Sequence, residues 1–340
     1  MTETTPADTP AVIATDTIAQ FWAADERVRG AVTPNEADGT SLNGGPISTR
    51  GLSGFRRSAP ALTPAERLHL ELYGYVVIEG MLTPAEVDQL RGDIYAIERK
   101  FRSGDDLRTL RPAFVDPELL RTDTADNFRI HNLPHVAPSF FDYLTHPRIV
   151  GMTEELMGGR ARLVRSDAHI RRPAANPDDE KYSSDNFHRL SRGQSGTTAN
   201  GLYHFPFVKA LTNLTDWTPE DGSPSVIPGS HKLPADLDEH AVIGAALGDP
   251  SLIHRVHAPA GSTLIYVESL LHSIGAIRSG RDQVMLLGGY APHMFAAWAG
   301  MEPAAELVRR LPEEYQRFFL GWYSTYWSGI NARSLADQVG

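Results

Sequence analysis

From about Leu163 onward the chain runs in short β-branched and apolar stretches, each closed by Gly, Pro or Asp, and this texture points to a mainly β core. The candidate strands are Arg162 to Ile170, Phe205 to Leu211, Ser225 to Ile227, Ser262 to Val267 and Val284 to Tyr290. Many short strands with frequent turn signals predict a sandwich or a barrel. Upstream, Thr63-Pro64-Ala65-Glu66 and Thr83-Pro84-Ala85-Glu86 each read as a capping box with Pro at the first helical position, so a helix starts at each. Between them Tyr75-Val76-Val77-Ile78 reads as a strand entered from Gly74. The second helix carries Val87, Leu90, Ile94 and Ile97 as one apolar stripe. Pro303 to Trp327 reads as helical and aromatic-rich, a cover for the sheet. The pattern is helices outside and a β core inside, in one domain from residue 61 to 340.

Residues 1–60 differ. They are rich in Thr, Ala, Pro, Gly and Ser, with only Ile18 to Trp22 and Phe55 to bury. They read either as a flexible leader or as an arm that wraps the domain or a partner chain. Neither a basic region followed by an apolar run nor a stretch of about 20 apolar residues occurs, so the expectation is a cytoplasmic protein without a membrane span. A formal net charge of −10 argues against nucleic acid as a partner. The absence of cysteine removes disulfides, thiolate metal sites and a Cys nucleophile, leaving His, Asp and Glu as the strong metal ligands.

Five segments, in order, carry a resemblance. They are Tyr73-Gly74-Tyr75-Val76-Val77-Ile78 running to Val87; Phe187-His188-Arg189-Leu190; Leu214-Thr215-Asp216 running to Pro228-Gly229-Ser230-His231-Lys232; Ala260-Gly261-Ser262-Thr263-Leu264-Ile265-Tyr266 with Leu271-His272-Ser273; and Arg278-Ser279-Gly280-Arg281 leading to Tyr290-Ala291-Pro292. Together they resemble the phytanoyl-CoA dioxygenase family of Fe(II)/2-oxoglutarate oxygenases. The resemblance covers about residues 68–295. It implies a double-stranded β-helix, the jelly-roll or cupin-like core, with surrounding helices. It also implies Fe(II) and 2-oxoglutarate as cofactors and a small molecule as substrate.

The resemblance implies that His188 and His272 are metal ligands and that His231 is structural, closing a turn. The family pattern places Asp or Glu two residues after the first His, and here that position is Leu190. Three outcomes follow. A chloride could take the vacant position, as in related halogenases, though the bulk of Leu190 weighs against it. Another carboxylate could serve. Glu268 lies four residues before His272 on a strand, roughly 13 Å away, too far for one ion; Asp185 is the better candidate. Or the metal site could be weakened or lost. The family's Arg for the distal carboxylate of 2-oxoglutarate falls about eleven residues after the second His, at Gln283. Arg281 would face the same way on a regular strand and could replace it, and Lys209 could be a further anchor if it points inward.

The leading expectation is thus an iron oxygenase-fold enzyme that oxidises a small molecule, as in natural-product biosynthesis. The rivals are a non-redox isomerase, cyclase or eliminase on the same scaffold, in which His188, His204, His272, Asp185 and Glu268 move protons, and a catalytically silent binding protein. Arg165, Arg171 and Arg172 with His169 could meet an anionic substrate, but a solvated strand edge is the favoured reading. The cluster Phe318, Phe319, Trp322, Tyr323, Tyr326 and Trp327 reads as packing or a contact in a homodimer.

Overall fold

The computed structural model describes residues 60–103, 127–173 except 136, 186–189, 197–199, and 202–297 except 235, 236 and 294; beyond these it describes 301, 303, 308, 311 and 313–321. The N-terminal segment 1–59 therefore lies outside the described residues, as do Asp185, Leu190, Trp322, Tyr323, Tyr326 and Trp327.

Two capped helices open the fold. α1 (Pro64–Tyr73) and α2 (Pro84–Arg102) each begin with a complete capping box, on Thr63 with Glu66 and on Thr83 with Glu86. These satisfy backbone donors that a helix start leaves free. The stripe Val87, Leu90, Ile94 and Ile97 on α2 is buried as its spacing requires. Between the helices, β1 (Tyr75–Ile78) enters the core.

The remaining strands are β2 (Asn127–His131), β3 (Ala161–Arg171), β4 (Thr197–Ala199), β5 (Leu202–His204), β6 (Val208–Asn213), β7 (Pro224–Val226), β8 (His254–Arg255), β9 (Thr263–Val267), β10 (His272–Ile274) and β11 (Gln283–Pro292). Six form one antiparallel sheet in the order β1-β9-β6-β11-β3-β2, and β10-β7-β8 form a second. β4 and β5 pair as a separate hairpin. These two sheets are the major and minor sheets of a double-stranded β-helix. Helices α3 (Pro138–Leu144), α4 (Pro147–Met157) and α6 (Glu313–Leu320) back the larger sheet, and α5 (Glu239–Gly248) lies beside the smaller one.

Strands β9 and β11 are buried almost throughout because both their faces are covered. On the outer face the Tyr143 hydroxyl reaches Thr212 Oγ1 at 3.0 Å, and that of Tyr290 donates to Leu144 O at 3.1 Å. Phe141 stacks on Tyr315, and Phe318 and Phe319 are buried against the same surface. This part of the aromatic cluster is packing.

Gly74 shows how tightly the parts fit. It caps α1 in the left-handed region at φ 86°, and a Cβ there would stand 2.5 Å from Nδ1 of buried His231. Gly74→Ala should therefore lower the unfolding free energy by about 2–4 kcal/mol, combining left-handed strain with overpacking. Gly80 is also left-handed, at φ 62°, but its Cβ would meet nothing within 4 Å. Gly80→Ala should cost only the strain, about 1–2 kcal/mol. Urea unfolding of both variants measures the difference; equal losses would show that the His231 contact is not limiting.

Candidate active site

Between the sheets lies a cavity of about 440 Å³, and the pleat decides what lines it. Along β3 the residues Arg165, Asp167, His169 and Arg171 alternate onto one face, and Arg165, His169 and Arg171 line the cavity. Neighbouring strands add Arg129 from β2, Lys209 and Leu211 from β6, Leu264 and Tyr266 from β9, and Met285 and Leu287 from β11. The smaller sheet contributes His272, Ser273 and Ile274 from β10 and Pro224 from β7. This corrects the solvated-edge reading of the β3 arginines. Only Arg172, one step out of phase, turns away, to the carboxylate of Glu98 at 2.7 Å.

His188 and His272 meet. Their backbones form a two-way antiparallel bridge, each N–H on the other's carbonyl at 3.0 Å, and their ring centroids are 4.4 Å apart. His272 is buried; His188 sits at the cavity rim. Nδ1 of His272 lies 2.7 Å from Leu270 O and that of His188 lies 3.2 Å from Asn186 O. A carbonyl can only accept, so Nδ1 carries a proton in each ring and Nε2 is the atom left to meet a metal. Burial, then the charges of Lys209 and the neighbouring His188, hold His272 well below the usual histidine pKa, so its ring is neutral at pH 7.

The turn Gly229-Ser230-His231-Lys232 braces this pair. Ser230 Oγ accepts from Leu271 N at 2.8 Å, just before His272. Arg189, next to His188, reaches carbonyls of Ser230, Leu233 and Pro234 at 3.4–3.5 Å and pairs with Glu239 at 2.8 Å. His231 is itself buried under Gly74 and Phe205. Its place is structural.

Among the described residues, no carboxylate lines the cavity. The two nearby acids lie beneath its cationic wall. Asp167 is fully buried and holds Arg165 Nε at 2.6 Å, Arg129 Nη2 at 3.3 Å and the His131 ring. Burial opposes its ionisation, but Arg165, His131 and Arg129 outweigh that and keep its pKa well below the carboxylate range. Glu268 bonds Lys209 Nζ at 2.6 Å, both buried, so Lys209 points inward and Glu268 is occupied as its counter-ion. Burial lowers the Lys209 pKa, with Glu268 acting the other way.

The expected cosubstrate anchors separate. β11 begins at Gln283, so Arg281 precedes the strand and does not share the face of residue 283; it sits on Asp221 at 2.6 Å, largely exposed, and does not line the cavity. Gln283 is fully buried, and its strand partner is Arg171. The Arg171 guanidinium bonds Gln283 Oε1 at 2.5 Å, Gly275 O at 2.7 Å and Gly222 O at 3.3 Å, all neutral oxygens. Burial alone lowers its pKa, to about 10. An arginine thus stands at this end of the cavity, on the strand beside the one where the sequence places it. The i, i+2 run Arg165-Ser166-Asp167-Ala168-His169-Ile170-Arg171 was the available signal for it.

The fit for iron is partial. His188 and His272 present two imidazoles whose Nδ1 atoms are held by carbonyls, as those of ligand histidines are. Among the described residues, no group of three His, Asp or Glu side chains is placed to hold a metal. Of the other candidates, Asp185 lies outside the described residues, as does the side chain of His204.

Comparisons with known proteins agree with this architecture. The profile of the phytanoyl-CoA dioxygenase (PhyH) family matches residues 70–284. The chain belongs to the phytanoyl-CoA dioxygenase family. The Fe(II)/2-oxoglutarate-dependent dioxygenase nvfF of Aspergillus novofumigatus is 28% identical over 203 residues, 58% of this chain and 61% of nvfF. Ectoine dioxygenase of Nocardia farcinica is 23% identical over 218 residues, 58% of this chain and 67% of the relative. The matched region is thus about three-fifths of nvfF. Among solved structures, HygX from Streptomyces hygroscopicus with nickel, 2-oxoglutarate and hygromycin B bound superposes with a TM-score of 0.52 at 24% identity, covering 70% of this chain and 90% of HygX. The 2-oxoglutarate-dependent carbocyclase SnoK from nogalamycin biosynthesis gives 0.50 at 20% identity, covering 70% and 87%. At these identities the structural likeness speaks for the fold. No helix among the described residues is long and apolar enough to cross a membrane.

Proposed function

We propose that this protein is an Fe(II)- and 2-oxoglutarate-dependent oxygenase that modifies a small molecule in specialised metabolism. The observation that carries this reading is the His188–His272 pair, ring to ring at 4.4 Å, each Nδ1 on a carbonyl, in the cavity that Arg171 lines. The names of nvfF, HygX and SnoK support a small-molecule substrate and a biosynthetic setting. Iron bound with 2-oxoglutarate would activate dioxygen, which is the oxidant both for the substrate C–H bond and for the conversion of 2-oxoglutarate to succinate and carbon dioxide. His188 and His272 would hold the metal, with Asp185 or a water in the place that Leu190 leaves without a carboxylate. Arg171, steadied by Gln283, would orient the distal carboxylate, and Leu211, Leu264, Met285 and Leu287 would keep the space dry.

The test is Fe(II) titration of chelator-stripped protein together with succinate release from 2-oxoglutarate. Stoichiometric binding and turnover are expected. His272→Ala should weaken Fe(II) by more than about 100-fold, beyond the loss from an outer-shell partner. Wild-type protein that binds no iron would sink the reading.

A second reading is favoured by the charges beside His272. Lys209 and Arg165 both press on its ring, and residue 190 is Leu. Without a metal, neutral His272 and the Lys209–Glu268 pair could move protons in an isomerisation, cyclisation or elimination. Conversion of substrate in the presence of chelator, with no succinate released, would select this reading over the first.

A further inference from the structure

Only four of the chain's 32 lysine and arginine residues are lysines: Lys100, Lys181, Lys209 and Lys232. Lys100 and Lys232 are exposed, and among the described residues Lys209 alone of the four lines the cavity. The other cations of the cavity wall, Arg129, Arg165 and Arg171, are arginines. As a plain counter-charge a guanidinium would serve better at residue 209, because it meets a carboxylate with two parallel bonds and keeps its proton. Stability does not account for the lysine either, since a buried ion pair gains little over apolar side chains of the same volume. What lysine alone offers is a primary amine, a nucleophile once it is deprotonated.

The surroundings suit that use. Lys209 faces inward from β6, opposite Tyr266 on β9, and its side chain is 5% exposed. Nζ lies 5.7 Å from the Phe207 ring centre and 6.0 Å from that of Tyr266. Glu268 Oε1 accepts from Nζ at 2.6 Å. The second oxygen, Oε2, is buried and has no hydrogen-bond partner among the described residues. An orphaned carboxylate oxygen thus stands beside an ammonium where both charges are desolvated. Moving one proton from Nζ to Glu268 removes both charges at once. Burial lowers the Lys209 pKa, Glu268 raises it and Arg165 lowers it again, with a net fall. One step along the same strands, Leu211, Leu264 and Leu287 form an apolar row in the cavity wall.

We propose that Lys209 forms an imine with the carbonyl of a small aldehyde or ketone bound in this cavity, with Glu268 carrying the protons. Glu268 takes one proton from the ammonium, and the freed lone pair of Nζ adds to the carbonyl carbon as the C=O π pair moves to oxygen. That oxygen takes up a second proton from the nitrogen, then the one held by Glu268, and leaves as water. The product is a protonated imine facing the Glu268 carboxylate. One ammonium and one carbonyl give one iminium and one water, and nothing is oxidised or reduced. The leucine row fits the carbon chain of such a compound. The inference rests on reading this cavity as the reaction site, and it deepens the second reading above: a protonated imine draws electrons from the neighbouring carbon, as a non-redox isomerisation or elimination requires.

Trapping tests it. Full-length protein in excess chelator, without 2-oxoglutarate, is incubated with butanal and cyanoborohydride, whose hydride reduces an imine to a stable secondary amine. Peptide mass spectrometry then follows each of the four lysines. Lys209 should gain the butyl group about tenfold faster than exposed Lys100 and Lys232, as an activated amine does. A lysine that served only as a buried counter-ion would react more slowly than both, so the order of the rates decides. Glu268→Gln keeps an acceptor for Nζ but cannot take its proton. It should slow Lys209 by about 100-fold, the lower end of general acid–base effects, and leave Lys100 and Lys232 unchanged as internal controls. Thermal unfolding confirms that the variant is folded. Lys209 left unmodified, or modified more slowly than Lys100 and Lys232, would overturn the proposal, as would an unchanged Lys209 rate in folded Glu268→Gln. Iron uptake and succinate release with an unreactive Lys209 would sink this inference and leave the oxygenase reading standing. A fast Lys209 adduct in protein that takes up no iron would do the reverse.

Discussion

Asp167→Ala is expected to lower the unfolding free energy by about 3–5 kcal/mol, the usual cost of leaving buried charges without their partner. Asp167 is fully buried and bonds both Arg165 and Arg129, while also holding the His131 ring. Removing it leaves the guanidinium groups of Arg165 and Arg129 without the carboxylate that bridges them. The pH dependence has a definite sign. The folded pKa lies below the ordinary 3.8, so the carboxylate's contribution is complete above that value and is lost as pH falls toward the folded pKa. The difference between wild type and variant, measured by urea unfolding, should therefore be constant from pH 8 to about 5 and shrink only in stronger acid. A loss below 1 kcal/mol at pH 7 would show that water or ions screen the cluster.

The second large effect is an acid-induced loss of stability that begins near pH 6.5. Burial, and then the nearby Lys232, lower the His231 pKa to about 4, with a hydrogen bond to the Glu71 backbone acting the other way. His231 is therefore neutral in the fold, whereas in the unfolded chain it takes up a proton below 6.5. The part of the stability that depends on His231 is full above 6.5, falls between 6.5 and 4, and levels off below. From this one residue the loss is about 3 kcal/mol at about 1.4 kcal/mol per pH unit. His169 and His272 are also depressed by burial and add to the fall with the same sign. Urea midpoints measured from pH 8 to 4 give the slope, and His231→Gln should flatten part of it. A wild-type midpoint that does not move between pH 7 and 5 would contradict this account.

Much of the fold was legible because its signals are local. Capping boxes at Thr63 and Thr83 start the two helices where the sequence places them, and Gly158 ends α4 in the left-handed conformation. β1 matches its expected bounds, and β3, β7, β9 and β11 match within about two residues, the ordinary margin for such boundaries. β6 starts three residues later than expected, at Val208. Other elements left weaker marks. β2 alternates polar and apolar residues over only five positions, and α5 has apolar residues on all sides rather than one stripe, so neither stands out in sequence. The candidate site divides in the same way. His188 and His272 could be singled out by the phrases around them. The orientation of Lys209 could not, because a strand position faces in or out according to its partners.

What the sequence determined by itself was the capped helices and the longer strands, the family and the two candidate histidines, together with the absence of a carboxylate at Leu190 and of an arginine at Gln283. Only the tertiary structure decided the electrostatics of the cavity. Gln283 and Arg171 are 112 residues apart, and only the antiparallel register of β11 on β3 sets them side by side. The register of β2 on β3 gathers Arg129 and Arg165 on Asp167, and that of β6 on β9 brings Glu268 to Lys209. Charge compensation depends on distance and burial, and strand pairing between remote segments fixes both. A chain that is acidic overall is thereby given a cationic cavity.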